Sequence, residues 1–100
     1  MKKGPASVRK RAKEVQLRIP DDVVFRDLAG EAVILNLATG TYFGLDQTGT
    51  RIWQLIGEHG STARVIEAML AEYDVDEAQL RQDIDSLIEK LESNGLVVKA

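Results

Sequence analysis

The sequence has no cysteine, one histidine, two prolines and only 5% aromatic residues among its 100. Without cysteine there are no disulfides, no thiolate metal ligands and no cysteine nucleophile, and thiol usage says nothing about redox compartment. No apolar run approaches the roughly 18 residues of a membrane helix, so no membrane association through a span is expected. The N-terminus is basic but lacks the apolar core of an export signal, and a cytoplasmic location is expected. The lone His59 stands in a Gly-Glu-His-Gly loop without a partner ligand, which argues against both general-base and metal chemistry. Asp74, Asp76 and Glu77 lack the glycine and downstream glutamate of a calcium loop and read as helix-capping carboxylates. Gly40, Gly44 and Gly49 do not lead from strand to helix at the spacing of a phosphate cradle. This inventory predicts a protein that does no covalent chemistry and uses neither cofactor nor metal.

What is present is an ordinary globular composition, 44% apolar and 29% charged, at the length of one domain. A chain of this size buries one modest core and no deep enclosed cavity. The net charge of −3 is unevenly spread. Residues 1–18 carry Lys2, Lys3, Arg9, Lys10, Arg11, Lys13 and Arg18 against Glu14, a balance of +6; residues 19–100 carry six basic against fifteen acidic residues, a balance of −9. The expected division is a basic, flexible tail at 1–18 and a folded domain at 19–100. The tail reads either as an arm for nucleic acid or membrane, or, as preferred here, as a solvated extension loosened by Gly4 and Pro5.

Strand formers at Val23 to Asp27, Ala32 to Leu37 and Thr41 to Leu45 are separated by turns at Ala29-Gly30-Glu31 and Ala38-Thr39-Gly40. Val33, Leu35 and Leu37 alternate with period two in the second strand, and Phe43 and Leu45 share a face of the third. From Gln47 the period becomes helical: Asp46 caps a first helix bearing Ile52, Trp53, Leu55 and Ile56, which Gly57 and Gly60 end. Gly49 in its first turn suits a close backbone approach. Ser61 caps a second helix, Thr62 to Tyr73, with Val65, Ile66, Met69 and Leu70 inward. A third helix, Glu77 to Ser93, places Leu80, Ile84, Leu87, Ile88 and Leu91 inward and stops at Asn94-Gly95, before a short strand or extended tail at Leu96 to Val98. The predicted fold is α+β and winged-helix-like: a three-stranded antiparallel sheet followed by three helices.

That shape invites a DNA-binding reading, a winged-helix regulator working through the basic tail. Its helices argue against it, since the third offers Glu77, Asp83, Asp85, Glu89 and Glu92 against Arg81 and Lys90. No nucleic-acid partner is expected. The alternative is peptide binding at a sheet edge, because Thr41-Tyr42-Phe43-Gly44-Leu45 contains no proline, lysine or arginine to blunt it.

The ordered set Leu35-Asn36, Tyr42-Phe43-Gly44-Leu45-Asp46, Thr48-Gly49, Ile52-Trp53, Tyr73-Asp74-Val75, Asp83-Ile84 and Leu91 to Leu96 resembles the PqqD-like family, over about residues 20–98. Members are recognition elements for ribosomally made peptide natural products. The resemblance implies a non-catalytic protein that binds the leader of a precursor peptide and presents the core to a modifying enzyme or a cysteine leader protease. It implies a leader added as a strand on Thr41, Tyr42, Phe43, Gly44 and Leu45, in a groove walled by Leu80, Asp83, Leu87 and Lys90. Either Tyr42 or Phe43 packs the leader's apolar side chains, and strand parity leaves that choice open. For Leu87 plain core packing is the favoured reading, and Trp53 reads as core. A lasso-peptide pathway is favoured, with pyrroloquinoline quinone synthesis second, and the protein is expected as a monomer or a strand-swapped dimer.

Overall fold

The computed structural model describes residues 15–100, which fold as two antiparallel pairings around three helices. The short strand β1 (Leu17–Arg18) pairs with β5 (Val98–Lys99), with Leu17 opposite Lys99. The main sheet takes the order β2 (Val23–Leu28), β3 (Glu31–Asn36), β4 (Tyr42–Gly44), so β3 is central and β2 and β4 are its two edges. After it come α1 (Gln47–His59), α2 (Thr62–Glu72) and α3 (Glu77–Ser93). This is the expected α+β arrangement of a three-stranded antiparallel sheet followed by three helices.

Local chemistry accounts for the element ends. β2 and β3 meet in a two-residue turn in which Ala29 (φ 58°) and Gly30 (φ 89°) are both left-handed, the geometry that matches strand twist in a tight hairpin. The Gly30 N–H donates to Asp27 Oδ1 at 2.8 Å, which holds that turn. Each helix starts at a side-chain cap: Gly49 N–H donates to Asp46 (2.8 Å), Arg64 N–H to Ser61 (3.4 Å) and Gln79 N–H to Asp76 (2.9 Å). A Cβ on Gly49 would stand 3.2 Å from both Asp46 Oδ1 and Leu45 Cδ2, so glycine permits the sharp entry into α1. α1 runs through Gly57 and stops at His59, with Gly60 left-handed beyond it.

One face of the sheet covers the helices. Ile34, Trp53, Val65, Ile84 and Leu91 are among the core residues essentially without solvent exposure. α1 and α2 are clasped at the surface by Arg51 and Glu72, with Arg51 Nε donating to Glu72 Oε1 at 2.8 Å. The Arg51 hydrogen bond, aided by its charge, lowers the Glu72 pKa against a weaker opposing desolvation. Among the described residues no helix is long and apolar enough to cross a membrane.

The structure completes one expectation, the face of β3, and corrects two others. The β3 side chains that face the core are Ala32, Ile34 and Asn36, whereas Val33 and Leu37 are exposed and Leu35 is half-buried. Apolar residues run along both faces of this strand, so alternation alone could not choose between them. The folded unit also begins earlier than residue 19: Leu17 is 5% exposed and Val15 packs on the core, so residues 15–18 are part of the domain. The remainder of the proposed tail, residues 1–14, lies outside the described residues. Finally, the terminal strand is β5 at Val98–Lys99 rather than Leu96 to Val98, and Leu96 and Val97 before it are buried in the core.

Candidate functional site

The two edges of the main sheet differ chemically. β2 carries Arg26 and Asp27, charges that discourage a further strand. β4 and its flanks, Thr41 to Leu45, carry none. Pairing with β3 extends beyond β4 on both sides, since Asn36 N–H donates to the Thr41 carbonyl and Leu45 N–H to the Ala32 carbonyl, each at 2.8 Å. Antiparallel ladders alternate in direction, so these bonds place Thr41, Phe43 and Leu45 in the phase that faces β3. Tyr42 and Gly44 therefore point their N–H and C=O groups away from the sheet. Among the described residues neither makes a hydrogen bond on that side.

Register also settles the side-chain directions. Phe43 lies opposite Ile34, so it faces the helices, where it is half-buried and packs on the edge of the core. Tyr42 lies opposite Leu35 on the outer face and is 73% exposed. Gly44, opposite Val33, borders an open depression of about 370 Å³ lined also by Leu28, Glu31, Ala32, Val33, Leu45 and Asp46. It is too open to enclose a small substrate.

The four α3 residues divide by depth. Leu80 is buried (6% exposed) and belongs to the core. Leu87 is half-buried and packs against the core from its margin, as Phe43 does. Asp83 and Lys90 are exposed. At helical spacing Asp83, Leu87 and Lys90 form one shoulder beside the buried stripe of Leu80, Ile84 and Leu91. Asp83 accepts from Gln79 Nε2 at 2.9 Å, while Lys90 has no ion pair among the described residues. The shoulder thus presents one apolar side chain between two charges of opposite sign.

Two buried polar residues carry structural roles that the sequence does not assign, Asn36 having entered only as part of the Leu35-Asn36 motif. Thr50 Oγ1 accepts the Ala32 N–H at 2.8 Å, where the β3–β4 ladder runs out. Asn36 sits inside the β3–β4 hairpin, and its Nδ2 donates to the Gly95 carbonyl at 2.9 Å. The signal for Asn36 was an amide in an otherwise apolar strand, since such a group is buried only with partners. His59 lies on the surface 3.5 Å from Glu58, Asp76 is spent on capping α3, and Glu77 pairs with Arg81 at 2.8 Å. Among the described residues no three histidine or acidic side chains are grouped to hold a metal.

Known proteins share this fold. A solved structure of TbiB1 in complex with the TbiA(beta) leader peptide is similar with a TM-score of 0.75 and 39% identity, over 80% of this chain and 93% of that one. A lasso peptide synthetase B1 complexed with the leader peptide is similar with a TM-score of 0.73 and 25% identity, over 83% of this chain and 98% of that one. No curated protein sequence matches significantly. Residues 31–97 match the family described as coenzyme PQQ synthesis protein D, from the central strand through the end of α3. The chain belongs to the PqqD family.

Proposed function

We propose that this protein is a non-catalytic recognition element that binds the leader of a ribosomally made precursor peptide by adding it as a fourth strand to β4. The observation that carries the reading is the β4 edge, whose outward backbone groups at Tyr42 and Gly44 are unpaired among the described residues. The likeness to two proteins solved with leader peptides supports it. On this reading Tyr42 and Gly44, within the edge Thr41 to Leu45, supply the ladder bonds, Phe43 the apolar floor, and Leu80, Asp83, Leu87 and Lys90 the α3 wall. Leu80 acts from within the core, by supporting the wall. Asp83 and Lys90 select charges of opposite sign along the leader.

The mechanism is delivery. A flexible leader loses conformational entropy on docking, so affinity requires apolar anchors beside the ladder bonds. Once held, the leader raises the effective concentration of the attached core at a second protein. That second protein is a modifying enzyme or a cysteine leader protease. A lasso-peptide pathway is favoured over quinone-cofactor synthesis, since both similar structures are B1-type proteins and one is named for lasso peptide synthesis.

The test is a titration with synthetic leaders from precursor genes beside this one, followed by backbone amide shifts. Saturable binding with shifts on Thr41 to Leu45 and the Asp83–Lys90 shoulder is expected. Absence of binding to any such leader, together with DNA binding through residues 1–14, would replace this reading with a regulator.

A further inference from the structure

Asn36 is a buried amide, 6% exposed, on the core-facing side of β3. Its Oδ1 accepts from the Ala38 N–H (2.9 Å) and the Thr39 N–H (3.3 Å), shaping the β3–β4 turn from inside. Its backbone carbonyl accepts from Gly40 N–H at 2.8 Å, and its N–H reaches Thr41 at the same distance. The Nδ2 group does something else. It leaves the hairpin and donates to the carbonyl of Gly95, 59 residues away and just beyond α3.

Gly95 is prepared for that contact. It is left-handed (φ 70°) and closes α3, with its own N–H donating to Glu92 O (3.0 Å) and the Leu96 N–H to Leu91 O (2.9 Å). This leaves the Gly95 carbonyl outside the helical pattern and available to Asn36. A Cβ on Gly95 would lie 3.1 Å from Asn36 Nδ2. Among the described residues no hydrogen bond runs between α3 itself and β4. The hydrogen bond that, among the described residues, ties the hairpin to the end of α3 is therefore this one, at the turn end of the hairpin, beside the apolar packing of Phe43 and Leu87 on the common core.

We propose that Asn36 is a positioning residue for peptide docking: its hydrogen bond to Gly95 sets the gap between the β4 edge and α3 into which a strand must fit. The inference rests on the strand-addition reading. An added strand lies about 4.8 Å from its neighbour, so a wall that drifts loses either its apolar contacts or the ladder. A wall fixed in advance spares the ordering that each binding event would otherwise require. It also gives a role to two motif positions off the β4 edge, Asn36 and Gly95.

The substitution Asn36→Asp separates this role from turn formation. The carboxyl still accepts from Ala38 and Thr39, but when ionised it has no hydrogen to give Gly95. The expected result is a folded protein whose α1 and α2 amide shifts are unchanged. Shifts at 38–45 and 89–96 should move together, and affinity per folded molecule should fall about tenfold, the scale of one misplaced buried hydrogen bond. Acidification should restore affinity relative to wild type at the same pH, because a protonated carboxyl donates as the amide does. Loss of stability alone would not give that recovery. Should Asn36→Asp not fold, Gly95→Ala presses on the same contact without burying a charge and should give the same paired shifts and weaker binding.

The probes are the TbiA(beta) leader peptide and synthetic leaders from precursor genes beside this one. A folded Asn36→Asp variant with wild-type affinity at a pH where the new carboxyl is ionised, or shifts confined to one side of the contact, overturns the positioning role alone. A wild-type protein that binds none of these peptides overturns the docking reading beneath it.

Discussion

Replacing Gly44 by proline is the sharpest test of the docking edge, because register assigns the lost group an outward direction. The Gly44 N–H points away from β3, so proline removes no bond from the existing sheet, and proline is tolerated on an edge in that orientation. Gly44 lies outside the left-handed region and a Cβ there meets nothing within 4 Å. The residue before a proline is biased toward extended backbone, which Phe43 already adopts in β4. The folded protein should therefore survive with its helical circular dichroism intact. Docking should not. An incoming carbonyl loses its donor, costing about 1–3 kcal/mol, and the ring displaces the strand enough to weaken the neighbouring bond at Tyr42 by about another 1 kcal/mol. Together these correspond to a loss of roughly 30- to 700-fold in affinity. Fluorescence polarisation of a labelled leader measures it. Gly44→Ala, which keeps the N–H, should bind within about twofold of wild type because its methyl enters open space. A folded Gly44→Pro protein with undiminished binding would refute strand addition at β4.

Phe43→Ala should weaken leader binding at least about tenfold while Tyr42→Ala leaves it nearly unchanged, since only Phe43 faces the α3 side; isothermal titration of both decides this. Removing residues 1–14 should leave fold and leader affinity intact, whereas removing 1–18 also takes buried Leu17 and the β1–β5 pairing and should lower stability by about 2–4 kcal/mol in urea melts. Trp53→Ala should lower stability by about 3–5 kcal/mol by the same assay, because the indole is 1% exposed and carries an edge contact to Phe25. The Glu72 pKa is lowered in the fold, so its pairing with Arg51 contributes stability above the ordinary carboxylate range and loses it as pH falls through the lowered value; Glu72→Gln should flatten that acid limb in melts from pH 6 to 2.

The helices were legible because period, caps and stops agreed. For α3, Asp76 at one end and Asn94-Gly95 at the other leave no other frame for Leu80, Ile84 and Leu91, and both boundaries fall where the sequence puts them. The sheet was half legible. Turns at Gly30 and Gly40 mark the strands, but Ala32 to Leu37 is apolar on both faces, and only the packing of Ile34 beneath the sheet decides its parity. The β1–β5 pair was invisible for a different reason. Two residues at each end of the domain give no periodicity, and their pairing depends on how three helices bring the ends together. At the candidate site the uncharged edge could be read directly from Thr41 to Leu45. Which backbone groups remain open follows from register, and that Phe43 rather than Tyr42 faces the helices follows from register together with the burial of Ile34.

The depth of each α3 residue bears on how such a site gains selectivity. Leu80 is too buried to meet a ligand directly, and Asp83 and Lys90 are exposed, where single charges contribute little to affinity. Leu87 and Phe43 occupy the intermediate depth, packed on the core yet not covered by it. Backbone bonds at Tyr42 and Gly44 accept any sequence without proline, so they provide attachment without discrimination. On the proposed docking reading, discrimination then depends on the apolar side chain a leader sets against Phe43 and Leu87, with the charges of Asp83 and Lys90 proposed to fix its direction. A leader with that anchor replaced by serine should lose most of its affinity even though every ladder bond remains available.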